Sequence, residues 1–212
     1  MYYDSVRRRR SAWRRVLILL ILVGIGIILI VNQNEVRQRI HPPPTPTATR
    51  TARSYVAEAE ALAQTGNLKA AADAYIQAAA LDPADVAALI ALARILTLLD
   101  RADEGVKLAE RAAQLAPQSA ATQAALAQAL NGQAVKLQQR GREAEARQVW
   151  RQALIVGKNA VTFDPNYPQG YAYLAETYAD LGDVENAAVS VDRALALNPA
   201  LVDVQRALGY VR

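Results

Sequence analysis

Residues that stop helices recur through most of this chain at one fixed interval. The count is 17 from Gly66 to Pro83, from Pro83 to Asp100 and from Asp100 to Pro117, and 17 again from Pro165 to Gly182 and from Gly182 to Pro199. Proline lacks the amide proton that a helix needs and clashes with the preceding turn, so each Pro closes a helical stretch. Between stops the apolar residues fall on one helical face. Tyr171, Leu174, Ala175 and Tyr178 stand at i, i+3, i+4 and i+7, and after Gly182 the spacing resumes with Val184, Ala187, Ala188, Val191, Ala194 and Leu195. Two helices joined as a hairpin are predicted for each pair of stretches. Few architectures other than an all-α array satisfy this rhythm.

One unit departs from it. Pro117 to Gly141 is 24 residues and Gly141 to Pro165 is 24, so each arm is longer by seven. Seven residues return a helix almost to its starting face, with a drift of about 20°. Ala127 and Ala134, Leu130 and Leu137, and the series Ala146, Ala153, Ala160 all recur at that separation. The third unit is therefore predicted as one oversized antiparallel hairpin, with arms at 119–139 and 143–162. Gly132 lies near the level of Trp150 across this hairpin and is expected to make room for the indole; a break near Gly157, with a loop before Pro165, is the alternative.

The stretch from Pro168 to Pro199 resembles a tetratricopeptide repeat (TPR), a 34-residue motif with a set order of bulky and small residues. Its places fall on Tyr171, Ala175, Gly182, Ala187, Val191, Ala194 and Pro199. In the first repeat they fall on Ala59, Ala71, Tyr75, Ala78 and Pro83, and in the second on Ala93, Gly105, Ala109, Ala112 and Pro117. Asp100 replaces the turn glycine and Ala109 the large residue of the second repeat, which is expected to loosen its packing. The resemblance implies an all-α TPR solenoid of about four hairpins, the third elongated, with repeats at about 54–84, 85–118, 119–166 and 167–200. Residues 201–212 would form a capping helix, since a terminal repeat otherwise exposes its stacking face.

Charge divides the chain. Residues 1–53 carry 10 Lys+Arg against 2 Asp+Glu, or +8, and residues 54–212 carry 14 against 18, or −4, which together give the net +4. A mildly acidic folded part argues against a surface that tracks phosphates, so no nucleic-acid partner is expected. Residues 1–15 are basic, with Arg7 to Arg10, Arg14 and Arg15. Val16 to Val31 follows without a charge, a polar side chain or a proline, and is predicted as a single transmembrane helix. As a helix it rises about 24 Å against a hydrocarbon core of about 30 Å, a deficit that Trp13, Arg14 and Arg15 can cover from the interface. The positive-inside bias puts residues 1–15 in the cytoplasm and the repeats outside the cytoplasmic membrane. A cleaved signal has the same basic and apolar parts but needs small residues after the run, where the chain reads VNQNEVRQRI. Residues 32–53, rich in Pro and Thr, read as an extended spacer.

Catalytic chemistry is not expected. The folded part has no cysteine and no histidine, the single His41 lies in the spacer, and neither G-x-G-x-x-G nor G-x-x-x-x-G-K occurs. Asp82, Asp164 and Asp183 sit beside turns, where capping explains them. No cofactor, metal or catalytic residue is assigned. In TPR proteins the first helix of each pair lines a concave groove. Carried over by position, the resemblance implies a partner-binding groove of Ala57 and Glu60, then Ile90, Ala91 and Arg94, then Gln128 and Asn131 near Ala124, then Ala172, Tyr173 and Glu176. The Lys and Asn pattern that clamps a C-terminal carboxylate is absent. The expected function is a membrane-anchored scaffold or adaptor that binds protein partners, themselves membrane-associated, and assembles a membrane or cell-envelope complex. The alternative is an exported carrier or sensor that binds a small molecule or glycan on Tyr171, Tyr173 and Tyr178.

Overall fold

The computed structural model describes residues 4–31 and 50–212. They belong to two separate units, divided after Thr49. Most of the spacer expected at 32–53 lies outside the described residues. The first unit contains α1, Asp4–Val31. Among the described residues no helix is long and apolar enough to cross a membrane. The transmembrane helix expected at 16–31 is thus not supported by its length: the first half of α1 is basic, and the uncharged half rises only about 24 Å.

The second unit, Arg50–Arg212, is an all-α solenoid. Its helices are α2 (Ala52–Gln64), α3 (Leu68–Leu81), α4 (Val86–Leu98), α5 (Ala102–Leu115), α6 (Ala120–Gln139), α7 (Glu143–Phe163), α8 (Pro168–Asp180), α9 (Val184–Leu197) and α10 (Val202–Val211). Consecutive helices pair as the hairpins α2/α3, α4/α5, α6/α7 and α8/α9, and each hairpin packs on the next. The first-position helices α4, α6, α8 and α10 also touch in succession and form one continuous face.

Short polar devices set the boundaries. Asn67, Asp85 and Asp183 cap α3, α4 and α9, each side chain accepting from the amide three residues on. Asp82, Asp164 and Asn198 end α3, α7 and α9 with a side-chain oxygen accepting from the amide two residues on, just across the following proline. Thr51 caps α2 by accepting from Ser54 N at 3.3 Å, so Ala52 and Arg53, read from sequence as spacer, already belong to the first helix.

The long third hairpin has arms of 20 and 21 residues. Gly157 does not break α7. A Cβ there would lie 2.8 Å from Leu174 Cδ2, so the glycine lets α8 approach α7. Nor does Gly132 face Trp150. A Cβ on Gly132 would meet Thr97 Cγ2 at 2.6 Å, which places this glycine against the preceding hairpin. The indole lies instead in a cluster with Ala134 and Ala146. Sequence level alone could not distinguish which side of α6 the glycine presents.

The second repeat is tight, where its departures suggested looseness. Ala109 is 0% exposed, and a Cβ on Gly105 would come within 2.9 Å of the Ala93 carbonyl oxygen. Small residues at both positions let α5 close on α4, so the helices move together and leave no gap. Asp100 does occupy the glycine place, at φ 61° beside Gly66 (78°), Gly141 (73°) and Gly182 (83°) in the equivalent turns. A non-glycine residue in the left-handed region costs on the order of 1 kcal/mol.

Asp100→Gly should therefore raise stability by about 0.5–1 kcal/mol, less whatever its exposed ion pair with Lys136 contributes. Gly105→Ala should lower it by about 1–3 kcal/mol, because a backbone carbonyl cannot step aside as a side chain can. Urea unfolding of the two variants against wild type checks both signs.

Candidate functional site

The ten residues expected to line a groove meet three different fates. Ala57 and Glu60 on α2 are exposed. Ile90, Ala91 and Arg94 on α4 are half-buried, with Ala91 packed against the first core cluster. Gln128 and Asn131 on α6, and Tyr173 and Glu176 on α8, are buried. Ala172 is buried too, within the cluster that joins α8, α9 and α10, and Ala124 packs against Tyr173.

Part of this burial comes from the last helix. Helix α10 was expected only to cap the stack, and Val204 and Ala207 do bury its apolar side there. Its polar side turns toward the concave face. Asp203 accepts from Arg94 Nη2 at 2.6 Å, an ion pair between residues 109 apart in sequence, and Asp203's side chain is 8% exposed. Arg206 Nε donates to Glu176 Oε1 at 2.9 Å, while Arg206 Nη1 stands 3.5 Å from Asp203 Oδ1. Arg94, Asp203, Arg206 and Glu176 thus form a chain of alternating charge that links α4, α10 and α8. The Arg206 guanidinium also lies 5.6 Å from the centroid of the Tyr173 ring.

Below this clasp the uncharged groups are mostly satisfied. Asn131 Nδ2 donates to Tyr173 O at 3.2 Å, and the Thr177 hydroxyl lies 2.9 Å from Asn131 Oδ1 and 2.7 Å from Tyr173 O. Tyr210 donates its hydroxyl to Asp180 Oδ1. Two buried side-chain oxygens here have no partner: Gln128 Oε1 and the Tyr173 hydroxyl. The remaining space is a cleft of about 330 Å³, with Gln128, Asn131, Glu176, Asp180, Arg206 and Tyr210 among its lining residues.

Burial governs the titration of these groups. It holds the Tyr173 phenol far above its ordinary range. Desolvation raises the Glu176 carboxyl despite Arg206, and raises Asp180 despite the hydrogen bond from Tyr210. Arg94 resists desolvation because the Tyr173 phenol and Asp203 favour its charge, leaving its value above the usual one. Among the described residues no group of three or more His, Cys, Asp or Glu is arranged to hold a metal ion.

Sequence reasoning put Arg94, Gln128, Asn131, Tyr173 and Glu176 on one list; Gln128, Asn131 and Glu176 line the cleft, while Arg94 and Tyr173 lie outside its lining, beside Asp203 and Arg206. It missed Asp180, Asp203, Arg206 and Tyr210. A signal existed: 203, 206 and 210 stand at i, i+3 and i+7, a polar stripe on the last helix. Nothing in that stripe identifies Arg94 as its partner.

A family model described as ChAPs (Chs5p-Arf1p-binding proteins) matches residues 39–197, a span that ends before α10. No curated protein matches the sequence. Among solved structures, the thermophilic TPR protein TTC0263 of Thermus thermophilus is 24% identical with a TM-score of 0.67, over 76% of this chain and 81% of its own. MamA (41-end) from Desulfovibrio magneticus RS-1 is 14% identical with a TM-score of 0.54, over 91% of this chain and 96% of its own. At these identities the likeness is one of fold, a TPR-like helical solenoid.

A double-mutant cycle with Arg94→Met and Asp203→Asn should give a coupling of about 1–2 kcal/mol, as expected for a charged hydrogen bond that is only partly desolvated; additive losses would mean that the clasp does not hold α10. Glu176 supplies a pH test. Its folded carboxyl keeps a proton to higher pH than the unfolded chain does, so its contribution is fully present below the ordinary value of 4.5 and lost as pH rises through the folded value. Glu176→Gln should flatten that decline in a series of calorimetric melts between pH 4.5 and neutrality.

Proposed function

The chain belongs to the ChAPs family, the Chs5p-Arf1p-binding proteins, and we propose that it is a membrane-anchored scaffold that gathers protein partners on the concave face of its repeats. TPR-like repeats of this kind are interaction scaffolds and are generally non-enzymatic. The observation that carries the proposal is the continuous face of first-position helices. Residues from α4, α6, α8 and α10 converge there on one cleft, while Ala57 and Glu60 on α2 are exposed and Ile90 on α4 is half-buried. Such a surface suits an amphipathic helix or extended segment of another protein.

The anchor is part of the same proposal. Large apolar side chains between Val16 and Val31, Leu20 and Ile28 among them, are exposed along α1, and exposed apolar surface is unfavourable in water by about 25 cal/mol per Å². Trp13 and the arginines before the run would occupy the interface and extend its reach. With residues 1–15 cytoplasmic, the repeats stand outside the cytoplasmic membrane. Confinement there raises the effective concentration of membrane-associated partners, so a modest groove affinity suffices to assemble a membrane or envelope complex. A carrier of small molecules or glycans would need tyrosine platforms in the open. Tyr173 is 1% exposed and Tyr171 and Tyr178 are half-buried, which weighs against that use.

The test is co-purification of the full chain from its own membranes in mild detergent. Wild type should retain defined polypeptides, and Ala57→Asp with Ile90→Asp should cut their recovery about tenfold at unchanged helical content. Equal recovery by the double variant would sink the concave-face assignment. For the anchor, alkaline carbonate should leave the chain in the membrane, and external protease should digest the repeats of spheroplasts; protection of the repeats would reverse the proposed orientation.

A further inference from the structure

In the cleft described above, not every polar group is paired. Arg206 is engaged with Glu176 and Asp203, the Asn131 amide with Tyr173 O, and the Tyr210 hydroxyl with Asp180. Gln128 Oε1 is buried with no partner, on a residue that lines the cleft and is only 5% exposed, and so is the Trp150 indole N–H beside Asp180. The charges are in excess on the acidic side. Lys136 offsets Asp100, and Arg94 and Arg206 are two cations against Asp203, Glu176 and Asp180, which leaves one carboxylate over. We propose that this cleft seats a single cationic side chain, arginine or lysine, carried by a segment of a protein partner; the proposal deepens the scaffold function above and rests on it.

Size and chemistry agree. A volume of about 330 Å³ is near the small end of ligand sites, suited to one long side chain and too small for a helix. Arginine carries five N–H donors and lysine three, and neither accepts, which complements a carboxylate in excess and the unpaired Gln128 Oε1. An anion would face Glu176 and Asp180. Burial has raised both carboxyls. The protein already contains one example of such a seat, since Arg206 rests on Glu176 with its guanidinium near the Tyr173 ring. The folded part as a whole carries −4, so a basic segment is also favoured on approach.

The probes are blocked tripeptides, Ala-Arg-Ala and its neutral isostere Ala-citrulline-Ala, titrated into the full chain in detergent while the Gln128 side-chain amide is followed by NMR. The arginine peptide should bind saturably and move that resonance. The citrulline peptide should bind about tenfold more weakly, and Asp180→Asn should weaken the arginine peptide by a similar factor. Asp180→Asn keeps an acceptor for Tyr210, and its melting curve verifies folding; Gln128→Leu is the second variant. Equal binding of the two peptides, an unmoved Gln128 resonance, or spermidine binding tighter than the arginine peptide would overturn the inference. The two proposals fail separately. If both cleft variants retain the co-purified partner at wild-type levels, the cationic seat falls and the scaffold stands. If wild type retains no partner, the scaffold falls, and a partner-borne side chain falls with it.

Discussion

Alanine at the close helix crossings is the constraint on which the solenoid depends. Ala59, Ala71, Ala93, Ala109, Ala112, Ala146, Ala153, Ala160, Ala187 and Ala194 are all 0% exposed, and they recur where two helices of a hairpin or of neighbouring hairpins meet. A larger side chain at such a crossing would push the axes apart, because interiors at this density transmit strain and do not absorb it. Glycine extends the same rule at three points. Gly105 lets α5 close on α4, Gly132 lets α6 reach Thr97, and Gly157 lets α7 receive Leu174. The bulky residues Leu89, Leu96, Trp150 and Tyr173 then fill the spaces between crossings.

Close stacking brings distant parts of the chain together on the concave side. Because α4, α6, α8 and α10 follow one another at short separation, an arginine on α4 can reach an aspartate on α10. The resulting chain of charges is partly buried, and Asp203 meets an arginine at each carboxylate oxygen, a hydrogen bond from Arg94 and an ion-pair contact with Arg206, the condition under which an ion pair holds geometry. It also gives α10 two roles: Val204 and Ala207 shield the stack, while Asp203, Arg206 and Tyr210 furnish the concave face. The family-matched span stops at residue 197, so this furnishing belongs to the part of the chain beyond it.

The lengthened third hairpin shows how an array absorbs a large insertion. Seven residues added to each arm keep the same face turned inward, so Ala127 and Ala134 on α6, and Ala146, Ala153 and Ala160 on α7, all remain at 0% exposure. Three separate apolar clusters along this hairpin share the load of packing it against both neighbours. An addition to one arm alone would have left an unmatched helical end.

By itself the sequence determined the class and the cadence: helical hairpins, their stops at Pro and Gly, and one doublet stretched on both arms. These are local properties, carried by proline stereochemistry and by residues that share a face within a few turns. It also named Gln128, Asn131 and Glu176, which line one cleft, because a repeat presents the same positions of its first helix inward each time. Tertiary structure alone decided which neighbour each glycine serves, as with Gly132 facing Thr97 and not Trp150. It decided too that Arg94 meets Asp203 across 109 residues, and that Tyr173 and Glu176 are covered and not open. The reason is geometric: periodicity fixes a residue's angle about its own helix axis, whereas contact across the array depends on the accumulated rotation and spacing of every hairpin between.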